Sequence, residues 1–317
     1  MDVNPAMTLV GLVIGALVGL TGMGGGALMT PVLVFFFGVD ALTAISSDLV
    51  ISLFMKPFGG IVHLVRRTVD LRLVGLLMIG SIPAAFLGAV ATSLLPDGSV
   101  QSVLLTLLGV ALLLAAAGLI ARAWVQMTRT RSPLGERATP MGRPGIRVRP
   151  GSTIALGAVA GLMVGLTSVG AGSIVIVALL LLYPALKASQ LVGTDLVQAV
   201  PLVAAAALGH ALFGRVDLGV AGSVLIGAIP GVILGAWSSS RAPGGIIRRV
   251  LAVLLMASGL KLLGVATPVV IGAGAGAVVL GNVLWISLRR RYSASLRAER
   301  AATASATAPR RGQELHD

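Results

Sequence analysis

From Leu73 to Leu95 the chain carries no charged side chain, and the same holds from Val100 to Ile120 and from Leu218 to Ser240. In helical form, runs of this length reach across about 30 Å of hydrocarbon. Inside a bilayer the backbone must satisfy its own hydrogen bonds, which leaves helices or a closed barrel. No series of short alternating strands is visible, so the reading is an all-α polytopic membrane protein. Composition agrees: 56% of residues are hydrophobic, 11% are charged and the mean hydropathy is +0.99. Cysteine is absent, which removes disulfides, thiolate metal sites and thiol catalysis. Met1 to Pro5 lack the positive n-region of a cleaved signal, so the first apolar segment is expected to be retained.

The first apolar segment has an internal flaw. Gly22, Gly24, Gly25 and Gly26 interrupt helix-forming sequence that runs up to Leu20 and away from Ala27. Each glycine gives up about 1 kcal/mol against alanine in a helix, so the expectation is two half-helices meeting at an unwound turn. Such backbone is tolerated at membrane depth only where protein or a water-filled cavity surrounds it. The second half carries the same device as Leu166, Thr167, Ser168, Val169, Gly170, Ala171, Gly172 and Ser173.

That recurrence is part of a longer one. Gly15, Gly19, Leu20, Thr21, Gly24 and Gly26 return at an offset of 146 as Gly161, Gly165, Leu166, Thr167, Gly170 and Gly172. At 147, Asp48-Leu49-Val50 returns as Asp195-Leu196-Val197, His63 as His210, Asp70 as Asp217 and Pro83 as Pro230. Matched Asp, His and Pro at one offset mark an internal repeat. The organisation is a membrane repeat over 1–121, an Arg/Pro-rich linker over 122–151 and a second repeat over 152–264. An extra span over 265–288 and a basic, disordered tail over 289–317 follow.

Net charge is +13, yet in such a chain arginine is first an orientation signal rather than a sign of nucleic acid. The linker and the tail hold seven arginines each, which puts both in the cytoplasm of a multi-pass protein of the inner (plasma) membrane. With each glycine turn a re-entrant hairpin or two short crossings, every repeat crosses an odd number of times. The repeats are then inverted, and 21 of 24 basic residues lie inside. Arg215 falls outside, Lys56 within a span and Lys261 near an outer end.

Inverted repeats with broken helices are the signature of secondary transporters, whose breaks meet near the midplane to make the binding site. Backbone N–H groups at a half-helix N-terminus suit an anion. The hydroxyls of Thr21, Thr167, Ser168 and Ser173 offer further donors, while close helix packing is the competing reading of the small residues. Asp48 and Asp195 lie about two turns inside spans, where ionisable groups are costly and default to roles such as proton relay or ion ligand. Lys56 is not repeated, its counterpart being Val203. It suits an anionic substrate as counter-charge and equally suits Asp48 as partner. His63 and His210 are candidates for proton coupling, weighed against hydrogen bonding near span ends. Gln198 is a polar liner one turn after Asp195. Three histidines with no close acidic cluster give no metal site, and the GxGG patch follows no strand, so no cofactor is expected.

The TGMGGG turn followed by Pro31, its degenerate second copy, and the repeated Asp-Leu-Val, His, Val-Asp-Leu, Ile-Pro and Gly pattern resemble the sulfite exporter TauE/SafE family of membrane permeases. The resemblance extends from Met7 to Leu263 apart from the linker. It implies transport of small, often sulfur-containing anions such as sulfite or sulfonates, driven by an ion gradient of protons or sodium. A cation permease using Asp48 and Asp195 as ligands is the alternative. An enzyme would need a nucleophile–base pair, which is not recognisable. A non-transporting assembly protein would not need broken, repeated spans.

Overall fold

The computed structural model describes residues 3–21, 25–65, 67–96, 98–129, 148–169, 171–184, 186, 188–238 and 244–279. Among the described residues all regular structure is helical. The first half contains α1 (Pro5–Thr21), α2 (Gly26–Phe37), α3 (Ala41–Val65), α4 (Leu71–Ser93) and α5 (Val100–Arg129). The second contains α6 (Pro150–Thr167), α7 (Ala171–Leu182), α8 (Ala188–Phe213), α9 (Leu218–Ser238) and α10 (Gly244–Leu262). A further helix, α11 (Thr267–Val279), begins the extra span. The rest of that span, the tail and most of the linker lie outside the described residues, as do Gly22, Gly24, Gly170 and the side chain of Ser173.

Among the described residues six helices are long and apolar enough to cross a membrane: α3, α4, α5, α6, α8 and α9. Their outward faces carry apolar side chains that suit lipid, among them Phe54, Leu87, Leu114 and Leu208, and Trp237 is exposed at the end of α9. Helix α5 continues to Arg129, past the start of the segment read as linker. Arg122 marks where apolar sequence stops, which is not where helical hydrogen bonding has to stop.

Both expected interruptions are present: α1 ends at Thr21 and α2 begins at Gly26, while α6 ends at Thr167 and α7 begins at Ala171. Helices α2 and α7 have 12 residues each, about 18 Å, too short to span a bilayer alone. Two aspartates set the starts of α4 and α9. Asp70 Oδ1 accepts from the N–H groups of Arg72 and Leu73 (3.1 and 3.2 Å), and Asp217 Oδ1 from those of Gly219 and Val220 (2.8 and 3.0 Å). The repeated Val-Asp-Leu is therefore an N-cap in each half.

The halves interlock. Helix α1 packs on α9 and α6 packs on α4, so the first helix of each half lies against the fourth helix of the other. Small residues make this possible: a Cβ at Gly15 would strike the carbonyl of Ala228, and one at Gly231 that of Leu12. The α4–α6 pair repeats the arrangement, with Gly161 against the Ser81 carbonyl and Gly80 against that of Ile154. Backbones this close gain dispersion contacts that larger side chains would prevent.

Helices α3 and α8 pack against each other. Ser46 meets His210 near one end of the pair, and Gly193 lies beside His63 near the other, so the two helices run in opposite directions. Helices α5 and α10 also run antiparallel, with Gly109 beside Leu263 and Gly259 beside Leu113. Two hydrogen bonds fasten the halves reciprocally. Ser47 Oγ accepts from the N–H of Asp217 at 3.1 Å, and Thr194 Oγ1 accepts from the N–H of Asp70 at 3.1 Å.

Candidate functional site

Helix α3 carries Asp48 two turns in, with Ser52 one turn further and Lys56 one turn beyond that. The spacing of four puts all three on one face. All are buried, Asp48 completely. A long helix can hold such a stripe because α2, α5, α8 and α9 pack around it and keep lipid away.

The two breaks come together around Asp48. Ser168, in the second break, donates from Oγ to Asp48 Oδ2 at 2.6 Å. Thr30 of α2 lies 3.2 Å from the same oxygen and 2.9 Å from Ser168 Oγ. Gly26, the first residue of α2, packs against both: a methyl group there would strike the Ser168 carbonyl and fall 2.8 Å from Asp48 Oδ2. This is a true close approach. Ser168 holds φ of 58°, a left-handed conformation that costs a non-glycine residue roughly 1–2 kcal/mol. Its counterpart in the first half is Gly22. A serine kept where glycine would be unstrained has its hydroxyl in use, here on a buried carboxylate.

Asp195 is the same residue in a different setting. It is buried on α8, and Gly172 at the start of α7 approaches its Oδ2, with a Cβ position 3.4 Å away. Gln198 Nε2 donates to Asp195 Oδ1 at 3.3 Å, while Gln198 Oε1 accepts from Ser81 Oγ at 3.4 Å. Each aspartate thus sits by the N-terminus of the half-helix that follows its own break, where the helix dipole favours negative charge. The expectation that these termini face a substrate anion is modified, because a protein carboxylate already stands beside each. Lys56 lies in the electrostatic field of both carboxylates.

Other expected site residues have more local partners. Thr21 Oγ1 donates to the Leu17 carbonyl (2.7 Å) and Thr167 Oγ1 to that of Met163 (2.7 Å), closing the last turns of α1 and α6. His210 bridges three helices, with Nδ1 2.8 Å from Ser46 Oγ and Nε2 2.7 Å from the Gly165 carbonyl. A carbonyl only accepts, so Nε2 carries the hydrogen; in the neutral ring Nδ1 then accepts from Ser46. His63 Nδ1 pairs with Thr68 Oγ1 at 2.8 Å near the end of α3. Gly25 borders the first break and is buried against Met55 and Val18. Sequence reasoning missed Thr30, Ser52 and Ser81. Ser52 had a signal, its helical spacing between Asp48 and Lys56, whereas Thr30 and Ser81 have apolar counterparts, Ile176 and Ala228, and escape a search for repeats.

Residues 7–262 match the family model for the sulfite exporter TauE/SafE. The chain belongs to this family. It is 38% identical over 260 residues to the "Probable membrane transporter protein YjnA" of Bacillus subtilis (strain 168), a match covering 81% of this chain and 99% of the relative. It is 28% identical over 189 residues to the "Probable membrane transporter protein YunE" of the same organism, covering 56% of this chain and 67% of that relative. No solved structure matches. Members of the TauE/SafE family are membrane transporters and not enzymes, and this chain is a multi-pass membrane transporter of that type.

Proposed function

We propose that this TauE/SafE transporter is a secondary carrier of a small anion, of the sulfite or sulfonate class, built from two halves inverted in the membrane. The observation that carries the reading is the meeting of the two helix breaks at Asp48, with Lys56 buried two turns along the same helix. Broken helices meeting inside a bundle are the architecture of midplane binding sites. Lys56 supplies the attraction for an anion, and its effect is large because little water screens it. The sulfur-containing substrate class rests on the family and on nothing in the residues themselves. Antiparallel pairing of the equivalent helices α3 and α8, and of α5 and α10, supports inversion, as does the one-sided distribution of arginine.

In this reading the linker and tail are cytoplasmic in the plasma (inner) membrane, and one or both aspartates carry the coupling ion. His210 serves as a tether between α3, α6 and α8 and His63 as a cap on the end of α3, rather than as proton carriers.

Uptake and efflux of labelled sulfite, sulfoacetate and thiosulfate in proteoliposomes test the substrate class. Saturable flux of at least one that Lys56→Met reduces is the expected result, and absence of flux for all three overturns it. For the topology, single cysteines at Ser99 and Ser132 should label from opposite sides of the membrane. Labelling of both from one side removes the inversion. A cation permease is the second reading, favoured by the two carboxylates beside the breaks. It requires Asp195→Asn to destroy substrate binding and Lys56→Met to leave it intact.

A further inference from the structure

Two oxygens stand out from the polar interior. Among the described residues, Asp48 Oδ1 and Ser52 Oγ are the buried side-chain oxygens without a hydrogen-bond partner. They belong to residues one turn apart on the same face of α3, and the two atoms do not bond each other. Leaving such atoms unpaired costs roughly 1–3 kcal/mol apiece, more for a carboxylate, so their coincidence asks for a cause.

Charge points the same way. Among the described residues the buried acidic and basic side chains are Asp48, Asp195 and Lys56, and the partners of His210 suit a neutral ring. Of the helices packed on α3, α8 adds Asp195, and among the described side chains α2, α5 and α9 add no buried charge. Two carboxylates against one ammonium leave one negative charge, which a single monovalent cation balances. The ligand types are those of a hard cation: a carboxylate and hydroxyls, with no nitrogen or sulfur among them.

The two aspartates differ in how they would receive it. Asp195 faces the amide of Gln198, and an NH₂ group only donates. Beside Asp48 stand the hydroxyls of Thr30 and Ser168, with that of Ser52 one turn along the same face, and a hydroxyl can turn from donor to acceptor with no heavy atom moving.

We propose that Asp48 and Ser52, assisted by Thr30 and Ser168, form a sodium site, and that Asp195 instead serves as the standing counter-charge of Lys56. A proton on Asp48 would restore charge balance too, but it would leave Ser52 Oγ unpartnered, since the two oxygens do not meet. An ion with several ligands joins them. Occupation also links ion to cargo. While Asp48 is ionised, Lys56 feels two carboxylates; once sodium neutralises Asp48, the ammonium has one carboxylate and attraction to spare for an anion.

This rests on the transporter reading for its purpose, yet its test needs no anionic substrate. The purified full chain in detergent is titrated with sodium chloride at constant ionic strength against choline chloride, reading thermal stability and binding of radioactive sodium. Saturable sodium binding is expected in the wild type, at least tenfold weaker in Ser52→Ala and lost in Asp48→Asn. Lys56→Met should bind sodium more tightly, because an opposing charge has gone. Equal behaviour in sodium and choline overturns the site. So does sodium binding that Ser52→Ala leaves unchanged, or stabilisation that follows pH and not sodium. Ser52→Ala alters no charge and keeps the test valid should Asp48→Asn fold poorly. Failure of anion flux with sodium binding intact would count against the carrier reading alone.

Discussion

Asp48 and Asp195 occupy the same place in two copies of one pattern, each beside the glycine that opens a half-helix, and they are furnished differently. Asp48 has hydroxyls from both halves and an oxygen left over; Asp195 has an amide from its own helix, held in turn by Ser81. Repetition has kept the carboxylate and the small residue facing it, and has let the side chains that hydrogen-bond to it diverge. Lys56, with Val203 as its counterpart, is the extreme of that divergence.

The sharpest way to break this comparison is at the glycines. Gly26→Ala puts a methyl group into the Ser168 carbonyl, and transport should fall more than tenfold in a vesicle assay. Gly172→Ala places its methyl 3.4 Å from Asp195 Oδ2, an ordinary contact, and transport should stay within about twofold. Equal losses would mean that the two breaks are equally tight.

Lys56→Met should weaken anion binding about tenfold, measured on purified protein by isothermal titration, since a poorly screened counter-charge is lost. Val203 offers no equivalent, and Val203→Ala should leave affinity unchanged while costing some stability through a small cavity.

Ser168 separates backbone strain from hydrogen bonding. Ser168→Ala keeps the left-handed conformation and loses a bond to a carboxylate, at about 1.5–3 kcal/mol. Ser168→Gly loses the same bond and relieves about 1 kcal/mol of strain, so it should melt higher than the alanine variant. The reverse order would show that the strain is not there.

The smallest effects should come where the halves agree. Ser47→Ala and Thr194→Val each remove an acceptor for a helix-start N–H of the other half, at about 1 kcal/mol. Similar losses, read as shifts in melting temperature, would support the equivalence of the two fastenings. A large disparity would extend the divergence to these fastenings.

Much of this was legible in the chain. Uncharged runs announce membrane helices, and clustered glycines announce breaks, because both follow from local physics. The paired aspartates could be found by offset alone. What stayed hidden depends on contacts between distant segments. Nothing local to Thr30 tells that it will meet Ser168, 138 residues away. The spacing of Gly11, Gly15 and Gly19 suits close packing without naming α9 as the partner. Nor does glycine content distinguish a turn that faces substrate from one whose helix end is already beside a carboxylate.

The exchange of first and fourth helices bears on how the protein is made. When α1 leaves the ribosome its partner face matches α9, which is translated roughly two hundred residues later. Until then its glycine-lined groove has only lipid for company. Synthesis of the first half is therefore a waiting state, exposed to quality-control proteases, and assembly is decided late. A gene cut between α5 and α6 would yield two fragments, each unstable alone and each the other's chaperone, so that co-expression restores what neither fragment keeps by itself.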